Sequence, residues 1–70
     1  MPLVVAPMNV PVRVVKILTD EKTKKHLESL GVTVDSEIIV LSQSGGSVIC
    51  KIKDGRMAFD KNLSTKILVA

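Results

Sequence analysis

The fold of this chain is indicated by one stretch, Glu37-Ile38-Ile39-Val40-Leu41-Ser42-Gln43-Ser44-Gly45-Gly46-Ser47-Val48-Ile49-Cys50-Lys51-Ile52. Two apolar runs rich in β-branched residues flank a glycine pair, and this arrangement is typical of a β-hairpin. The second run alternates, which predicts that Val48, Cys50 and Ile52 face inward and that their neighbours face outward. Cys50 is therefore predicted to be a core residue rather than a reactive thiol, because a small buried cysteine behaves as an apolar side chain.

The sequence after this hairpin predicts a β-meander. Asp54-Gly55 is a signal for a tight type I′ turn, after which Met57 and Phe59 face inward. A single helical turn from Asp60 to Leu63 follows, with Asp60 as its N-cap. The run from Lys66 to Val69 supplies a last short strand, which could close a barrel.

The sequence before the hairpin predicts a lead-in segment, a strand and a short helix. Met1 to Pro11 holds all three prolines, so we expect an extended segment that does not pair as a central strand. Val12 to Leu18 is β-branched and predicts the first strand. Its alternation breaks at Val14-Val15, which indicates a bulge or burial on both faces.

The helix is predicted from its two ends and its apolar spacing. Thr19 and Asp20 supply N-cap chemistry, and Gly31 ends the helix because glycine enters a left-handed conformation without a Cβ penalty. Leu27 and Leu30 form a one-sided apolar contact. We expect Leu30 to seal the helix onto the barrel, so that Leu30→Asp unfolds the domain.

Five short strands with a small helix between the first two predict a mainly β fold, an SH3-like partly open barrel. Residues 1–70 are expected to form one domain, with residues 1–11 as its lead-in. The apolar fraction is 46%, and Phe59 is the only aromatic residue. So many apolar residues in a small chain leave some on the surface, which points to a partner or to weak self-association.

Composition and charge exclude several classes of protein. The formal charge of +3 is modest, and the one basic cluster, Lys22 to Lys25, lies among acidic residues on the helix. This pattern favours a solvated face over a nucleic-acid or membrane patch. No run approaches the roughly 20 apolar residues of a membrane span, and the N-terminus is no convincing signal peptide. With one cysteine, a cytoplasmic location is the expectation.

The sequence offers no recognisable catalytic, cofactor or metal site. His26 and Cys50 are the available soft or imidazole ligands, whereas a transition-metal site needs three or four that converge. Ser44-Gly45-Gly46-Ser47 lacks the Gly-Lys-Ser/Thr ending of a phosphate loop and is interpreted as a turn. We therefore expect no enzyme activity, no nucleotide hydrolysis and at most weak iron binding by this chain alone.

Taken in order, these motifs resemble the FeoA family of bacterial ferrous iron transport. The resemblance covers about Val12 to Val69 and rests on Leu27-Glu28-Ser29-Leu30-Gly31-Val32, Glu37-Ile38-Ile39-Val40, Gly45-Gly46, Val48-Ile49-Cys50-Lys51-Ile52, Asp54-Gly55-Arg56-Met57-Ala58-Phe59 and Lys66-Ile67-Leu68-Val69. Val34-Asp35 stands where the family pattern usually has a Pro-Gly turn. Aspartate tolerates a left-handed conformation better than most residues, so the turn type is affected and the fold is not.

The resemblance implies a non-enzymatic accessory protein that associates with FeoB, a membrane ferrous iron transporter with a cytoplasmic GTP-binding domain. It further implies a place in the cytoplasm, at the inner face of the membrane through that partner. One alternative is the SH3-like regulatory module of a DtxR-type metal-dependent regulator. Another is a small nucleic-acid-binding barrel, which the single aromatic residue disfavours because such sites stack bases on aromatic rings.

The partner surface is predicted on the outer face of the hairpin. If Val40 pairs with Cys50, a five-residue loop from Gln43 to Ser47 results, and Leu41 lies opposite Ile49 and beside Ile39. A slip of one residue would place Ile38 and Val40 outside instead. The alternative to a binding role is that the helix or residues 1–11 cover this patch.

Arg56 is the other candidate partner residue. It follows the Asp54-Gly55 turn and could reach a bound GTPase as an arginine finger, which contributes a factor of about 10³ to 10⁵ in rate. The alternative is that Arg56 shields a strand edge or pairs with a nearby carboxylate.

Overall fold

The computed structural model describes residues 1–53 and 55–70, which form five strands and two helices. The strands are β1 (Pro11–Ile17), β2 (Glu37–Ser44), β3 (Ser47–Ile52), β4 (Gly55–Phe59) and β5 (Ile67–Val69), and the helices are α1 (Glu21–Ser29) and α2 (Lys61–Ser64). One antiparallel sheet has the order β4-β3-β2-β1-β5. The edge strands β4 and β5 do not pair in the described part of the chain, so the sheet is not closed, which confirms a partly open SH3-like barrel.

Helix α1 has the predicted signals at both ends. The Asp20 carboxylate accepts a hydrogen bond of 3.0 Å from the backbone N–H of Thr23. At the other end, Gly31 has φ of 97°, and its N–H and that of Val32 donate to carbonyls of the last helical turn. Leu27 is 2% exposed, whereas Leu30 is only half-buried. Leu27, rather than Leu30, is therefore the side chain that seals α1 onto the sheet.

Strand β1 lies one residue earlier than predicted and contains the predicted bulge. It runs over Pro11–Ile17 instead of Val12 to Leu18. Its pairing with β5 shifts register between Val14 and Lys16, and the intervening Val15 is exposed. The extra residue lets β1 turn between its two neighbours, β2 and β5.

The β2–β3 hairpin differs from the prediction in its loop. Val40 pairs with Cys50 as predicted, but Ser44 pairs with Ser47, so the loop is the two residues Gly45 and Gly46. The predicted five-residue loop from Gln43 to Ser47 is wrong, because both glycines take positive φ, 58° and 91°, and close a tight turn.

The tight turn changes what lies opposite Ile49. The register at the turn and the register at the Val40–Cys50 pair differ by one residue, so β2 carries one more residue than β3. That residue is Leu41, at a bulge. Ser42 is the partner of Ile49, and the predicted pairing of Leu41 with Ile49 is wrong.

Residues 1–11 also depart from the predicted extended path. Leu3–Val5 form a turn of 3₁₀ helix, and Leu3 is fully buried. On either side the segment touches the sheet, with bridges from Pro2 to Leu68 and from Met8 to Val40. The burial of Leu3 explains the difference, because an apolar side chain in the lead-in draws it onto the core.

The core lies on the inner face of the sheet. Its buried residues are Leu3, Ala6, Val12, Val14, Ile17, Leu27, Val32, Ile38, Val40, Val48, Cys50, Ile52, Phe59, Ile67 and Val69, with Met57 and Leu63 packed against them. This confirms the predicted inward residues of β3 and β4. Of the predicted Asp54-Gly55 turn, Asp54 lies outside the described residues, and Gly55 is the first residue of β4, where it pairs with Ile52. In the described part of the chain, neither helix has the length and apolar character needed to cross a membrane.

Helix α2 is the predicted single turn. The Asp60 carboxylate accepts a hydrogen bond of 2.8 Å from the Leu63 N–H and caps the turn. The buried Ser64 hydroxyl donates to the Gly46 carbonyl at 2.7 Å, which fixes α2 against the β2–β3 turn. This bond joins elements 18 residues apart and holds one end of the open barrel.

Candidate functional site

The candidate site is the outer face, by which we mean the solvent side of β2, β3 and β4. Two rows of cross-strand neighbours build it. Ile39 pairs with Lys51, which pairs with Arg56, and in the next row Ser42 pairs with Ile49, which pairs with Ala58. Directly paired residues present their side chains on the same side of a sheet. Each row is therefore a continuous line across three strands.

Alternation in β3 produces this face. Cys50 is fully buried, and burial raises the pKa of its thiol to about 11, so the thiol is protonated at neutral pH. The neighbouring Ile49 is 45% exposed although it occupies a central strand. An aliphatic side chain exposed to this degree is not required for packing and leaves apolar surface open to a partner.

The structure brings three of the four predicted partner residues onto the outer face. Ile39 is half-buried, while Ile49 and Arg56 are exposed. Leu41, the fourth, is the half-buried extra residue of the β2 bulge, next to Ser42. The register places Ile39 two residues from Ile49 across the β2–β3 pair, so the apolar residues form a diagonal strip.

The outer face also has a concentration of positive charge that the sequence did not indicate. Lys51 and Arg56 are directly opposite each other on β3 and β4, and both are exposed. Lys53, two residues after Lys51, is exposed as well. Only the register of β3 with β4 reveals this pairing, because Lys51 and Arg56 stand on either side of a turn.

An open groove of about 600 Å³ borders the outer face on the side of α1. Ile39, Lys51 and Lys53 line it from the sheet, and Gly31, Thr33, Ser36 and Glu37 line it from the loop after α1 and the start of β2. The groove has two cationic side chains and one anionic one. It extends the charged row of the outer face toward the helix.

The loop after α1 is fixed by its own polar contacts. Asp35 has φ of 74°, the left-handed conformation that an aspartate tolerates. The Ser36 hydroxyl donates to the Thr33 carbonyl at 2.6 Å and accepts from the Thr33 N–H at 3.1 Å. An ion pair of 3.8 Å joins Asp35 to Arg13, but both side chains are mostly exposed, so it contributes little to stability.

Other candidate groups have local structural roles. His26 is exposed to solvent on α1, whereas Cys50 is buried in the core. Within the described residues, no group of three or more His, Cys, Asp or Glu side chains could hold a metal ion. Asp20 and Asp60 line a second open groove, and each carboxylate is engaged as a helix N-cap.

The hydrogen bonds that cap α1 also change the acidity of the Asp20 carboxyl group. The hydrogen bonds from Thr23 lower the pKa of Asp20 from its ordinary value, and a more distant Lys66 acts in the same direction. A carboxylate held ionised in this way caps α1 and does not act as an acid near neutral pH.

Comparison with known proteins identifies relatives with the same architecture. A family model described as the FeoA domain matches residues 1–70. A crystal structure of an iron uptake regulatory protein, FeoA, is 30% identical, with a TM-score of 0.82 over 99% of this chain and 92% of that chain. Iron(II) transport protein A from Clostridium thermocellum is 22% identical, with a TM-score of 0.87 over 99% of this chain and 44% of that chain.

The same fold occurs in a different kind of protein. A manganese-dependent transcriptional repressor is 18% identical, with a TM-score of 0.82 over 96% of this chain and 39% of that chain. At this identity the likeness concerns the fold alone. No match was found among curated protein sequences. The family model, by contrast, spans all 70 residues. The chain belongs to the FeoA domain family.

Proposed function

We propose that this chain is a non-enzymatic accessory protein of bacterial ferrous iron transport, which binds a FeoB-like membrane transporter at its cytoplasmic GTP-binding part. Family membership supports the link to iron transport, and two relatives are named as an iron uptake regulatory protein and an iron(II) transport protein. In this proposal the chain resides in the cytoplasm and reaches the inner face of the membrane through its partner.

The observation that carries the proposal is the exposed apolar strip of the outer face. Ile49 is 45% exposed, so neither α1 nor residues 1–11 cover it. Ile39 extends the strip onto β2. Apolar side chains in the middle of a sheet face, bordered by charged ones, are the usual composition of a protein interface.

Arg56 has a binding role in this proposal rather than a catalytic one. It lies on the edge strand β4, and its neighbours across β3 are fixed by regular pairing from Val48 to Ile52. An arginine held in a regular strand contributes a directed charge to an interface. Substitution of Arg56 with alanine should therefore weaken binding and leave the GTP hydrolysis rate of the saturated complex within about twofold, whereas a true arginine finger contributes about 10³ to 10⁵.

The regulator alternative rests on fold likeness alone. The repressor shares the barrel at 18% identity, and this chain spans 39% of its length. The nucleic-acid alternative lacks a stacking platform, since Phe59 is the only aromatic residue of the chain and is 3% exposed in the core. Transporter binding is therefore the function that we propose.

The experiment that tests the proposal is a binding measurement with purified components. The protein is titrated into the soluble GTP-binding domain of the transporter, and into the full-length transporter in detergent, with GDP or a non-hydrolysable GTP analogue. Saturable binding to either form supports the proposal. No binding in any nucleotide state, with both proteins folded, contradicts it.

A further inference from the structure

Two cationic side chains face each other on the outer face, across β3 and the edge strand β4. Lys51 and Arg56 form a direct cross-strand pair, and both are exposed. Like charges in this position destabilise a sheet, whereas opposite charges stabilise it. Folding alone therefore does not account for the pair, and a local conflict of this kind in a native protein is expected at a functional site.

The residues around the pair define what would complement it. Lys53 adds a third positive charge on the same side of β3, while Glu37 is the acidic side chain of the adjoining groove. In residues 1–53 and 55–70, the ion pair between side chains is Arg13–Asp35, away from Lys51 and Arg56. Apolar Ile39 and Ile49 border the basic pair on two sides. The complementary surface is thus acidic, with apolar side chains next to its carboxylates.

The arrangement favours a protein segment over a nucleic acid or a lipid surface. Nucleic-acid sites combine basic residues with exposed aromatic rings, and the single aromatic residue here, Phe59, is buried. Lys51 and Arg56 have longer side chains than Ile39 and Ile49, so their charges stand outermost. Electrostatic binding to an anionic lipid surface typically uses a cluster of about four to eight basic residues, whereas the described part of the outer face has three, Lys51, Lys53 and Arg56. The planar guanidinium of Arg56 suits a carboxylate.

We infer that the partner segment on the outer face is acidic, and that its carboxylates bind between Lys51 and Arg56 while its apolar side chains contact Ile39 and Ile49. This inference rests on the proposed function, because it names the chemistry of the partner that the outer face binds. It assigns to the like-charge pair the role of an anion-binding centre, whose repulsion is relieved when the partner arrives.

One arm of the test needs no partner. Lys51→Glu and Arg56→Glu each convert the like-charge pair into an opposite-charge pair, and the double variant restores like charges. Each single variant should raise the melting temperature by roughly 2–4 °C, and the double variant should melt below both. The inferred repulsion would be overturned if the melting-temperature change of the double variant equals the sum of the two single changes. It would also be overturned if the single variants melt lower than the unmodified protein.

The second arm measures binding by Arg56→Glu, with Lys25→Glu on α1 as the control of equal charge change. The probes are the GTP-binding domain of the transporter and two synthetic peptides, one of glutamate and valine and one of lysine and valine. Arg56→Glu should weaken binding of the domain and of the glutamate peptide about tenfold, with Lys25→Glu close to unmodified, and added salt should reduce the difference.

The outcomes separate the inference from the proposed function. If the transporter domain does not bind but the glutamate peptide binds through Arg56, the proposed function is wrong and the inference of an acidic ligand is supported. Equal binding of both peptides, or transporter binding that Arg56→Glu leaves unchanged, overturns the inference. Binding to phosphatidylglycerol vesicles or to single-stranded DNA that exceeds binding to the peptide and is lost in Arg56→Glu also overturns it.

Discussion

The two faces of strand β3 share one backbone and differ in what they are needed for. On the inner face Val48, Cys50 and Ile52 are buried in the core, while on the outer face Ile49 and Lys51 are exposed. The inner residues are small and apolar and fill a thin core. The outer residues are an exposed aliphatic side chain, Ile49, and a lysine that is repelled by Arg56 across the strand pair. Folding requires neither of them. The contrast separates residues kept for stability from residues available for a partner.

The largest effect should come from placing a charge on the inner face. Cys50→Asp puts a carboxylate at a fully buried position, and an unpaired buried charge costs several kcal/mol of a stability that is about 5–15 kcal/mol in total. We expect the variant to be unfolded by circular dichroism. The adjacent Ile49→Asp, on the outer face, is the matched control and should melt within a few degrees of the unmodified protein. A folded Cys50→Asp would contradict the inner-face assignment.

A similar contrast holds for the two leucines of α1. Leu27→Asp should unfold the domain, since Leu27 is 2% exposed. Leu30→Asp, for which the sequence predicted unfolding, should instead give a folded protein of lower melting temperature, because a half-buried aspartate keeps part of its hydration. Thermal melts of both variants measure the difference. Equal loss of structure would show that Leu30 seals α1 after all.

In the β2–β3 turn, alanine substitution should be more destabilising at Gly46 than at Gly45. Gly46 has φ of 91°, and a Cβ there would lie 2.7 Å from the Lys61 Cγ of α2. Gly46→Ala should cost about 1–3 kcal/mol, which lowers the melting temperature by roughly 4–8 °C per kcal/mol. Gly45→Ala is the control for backbone strain alone, because Gly45 also has a left-handed φ, 58°, but nothing lies within 4 Å of its Cβ position. If Gly45→Ala is the more harmful variant, α2 does not pack on the turn.

The smallest effect is a pH dependence at the start of α1, which involves neither face of β3. The Thr23 hydrogen bonds lower the folded-state pKa of Asp20 below its ordinary value of 3.8. The unfolded state therefore binds protons first, so this contribution is present above pH 3.8 and is lost as the pH falls through the folded pKa. Melting temperatures of Asp20→Asn and the unmodified protein should converge on acidification. A difference independent of pH would exclude this role of the carboxylate.

Alternation and capping residues made much of the fold predictable. Val48, Cys50 and Ile52 alternate with outward residues, and the N-caps Asp20 and Asp60 mark the starts of both helices. These signals are local, so a single sequence contains them. The burial of Leu3 is different, because it depends on a long-range contact of the N-terminal segment with the core.

The candidate site was predictable in its residues and not in its register. The outward positions of Ile39 and Ile49 follow from alternation. The bulge at Leu41 arises because the two-residue turn and the Val40–Cys50 pair require registers that differ by one, and sequence alone does not say which of the two prevails. The Lys51–Arg56 pair likewise depends on the pairing of β3 with β4, which only the structure gives.

The central claim, that the outer face is the partner surface, is tested most directly by one pair of binding measurements. Ile49→Asp and Val5→Asp each place a carboxylate at an exposed aliphatic position, 45% and 62% exposed, and Val5 lies in the 3₁₀ turn of the N-terminal segment rather than on the outer face. The account predicts that Ile49→Asp, folded and melting like the unmodified protein, binds the GTP-binding part of the transporter at least about tenfold more weakly, while Val5→Asp binds normally. Unchanged binding by a folded Ile49→Asp would contradict it.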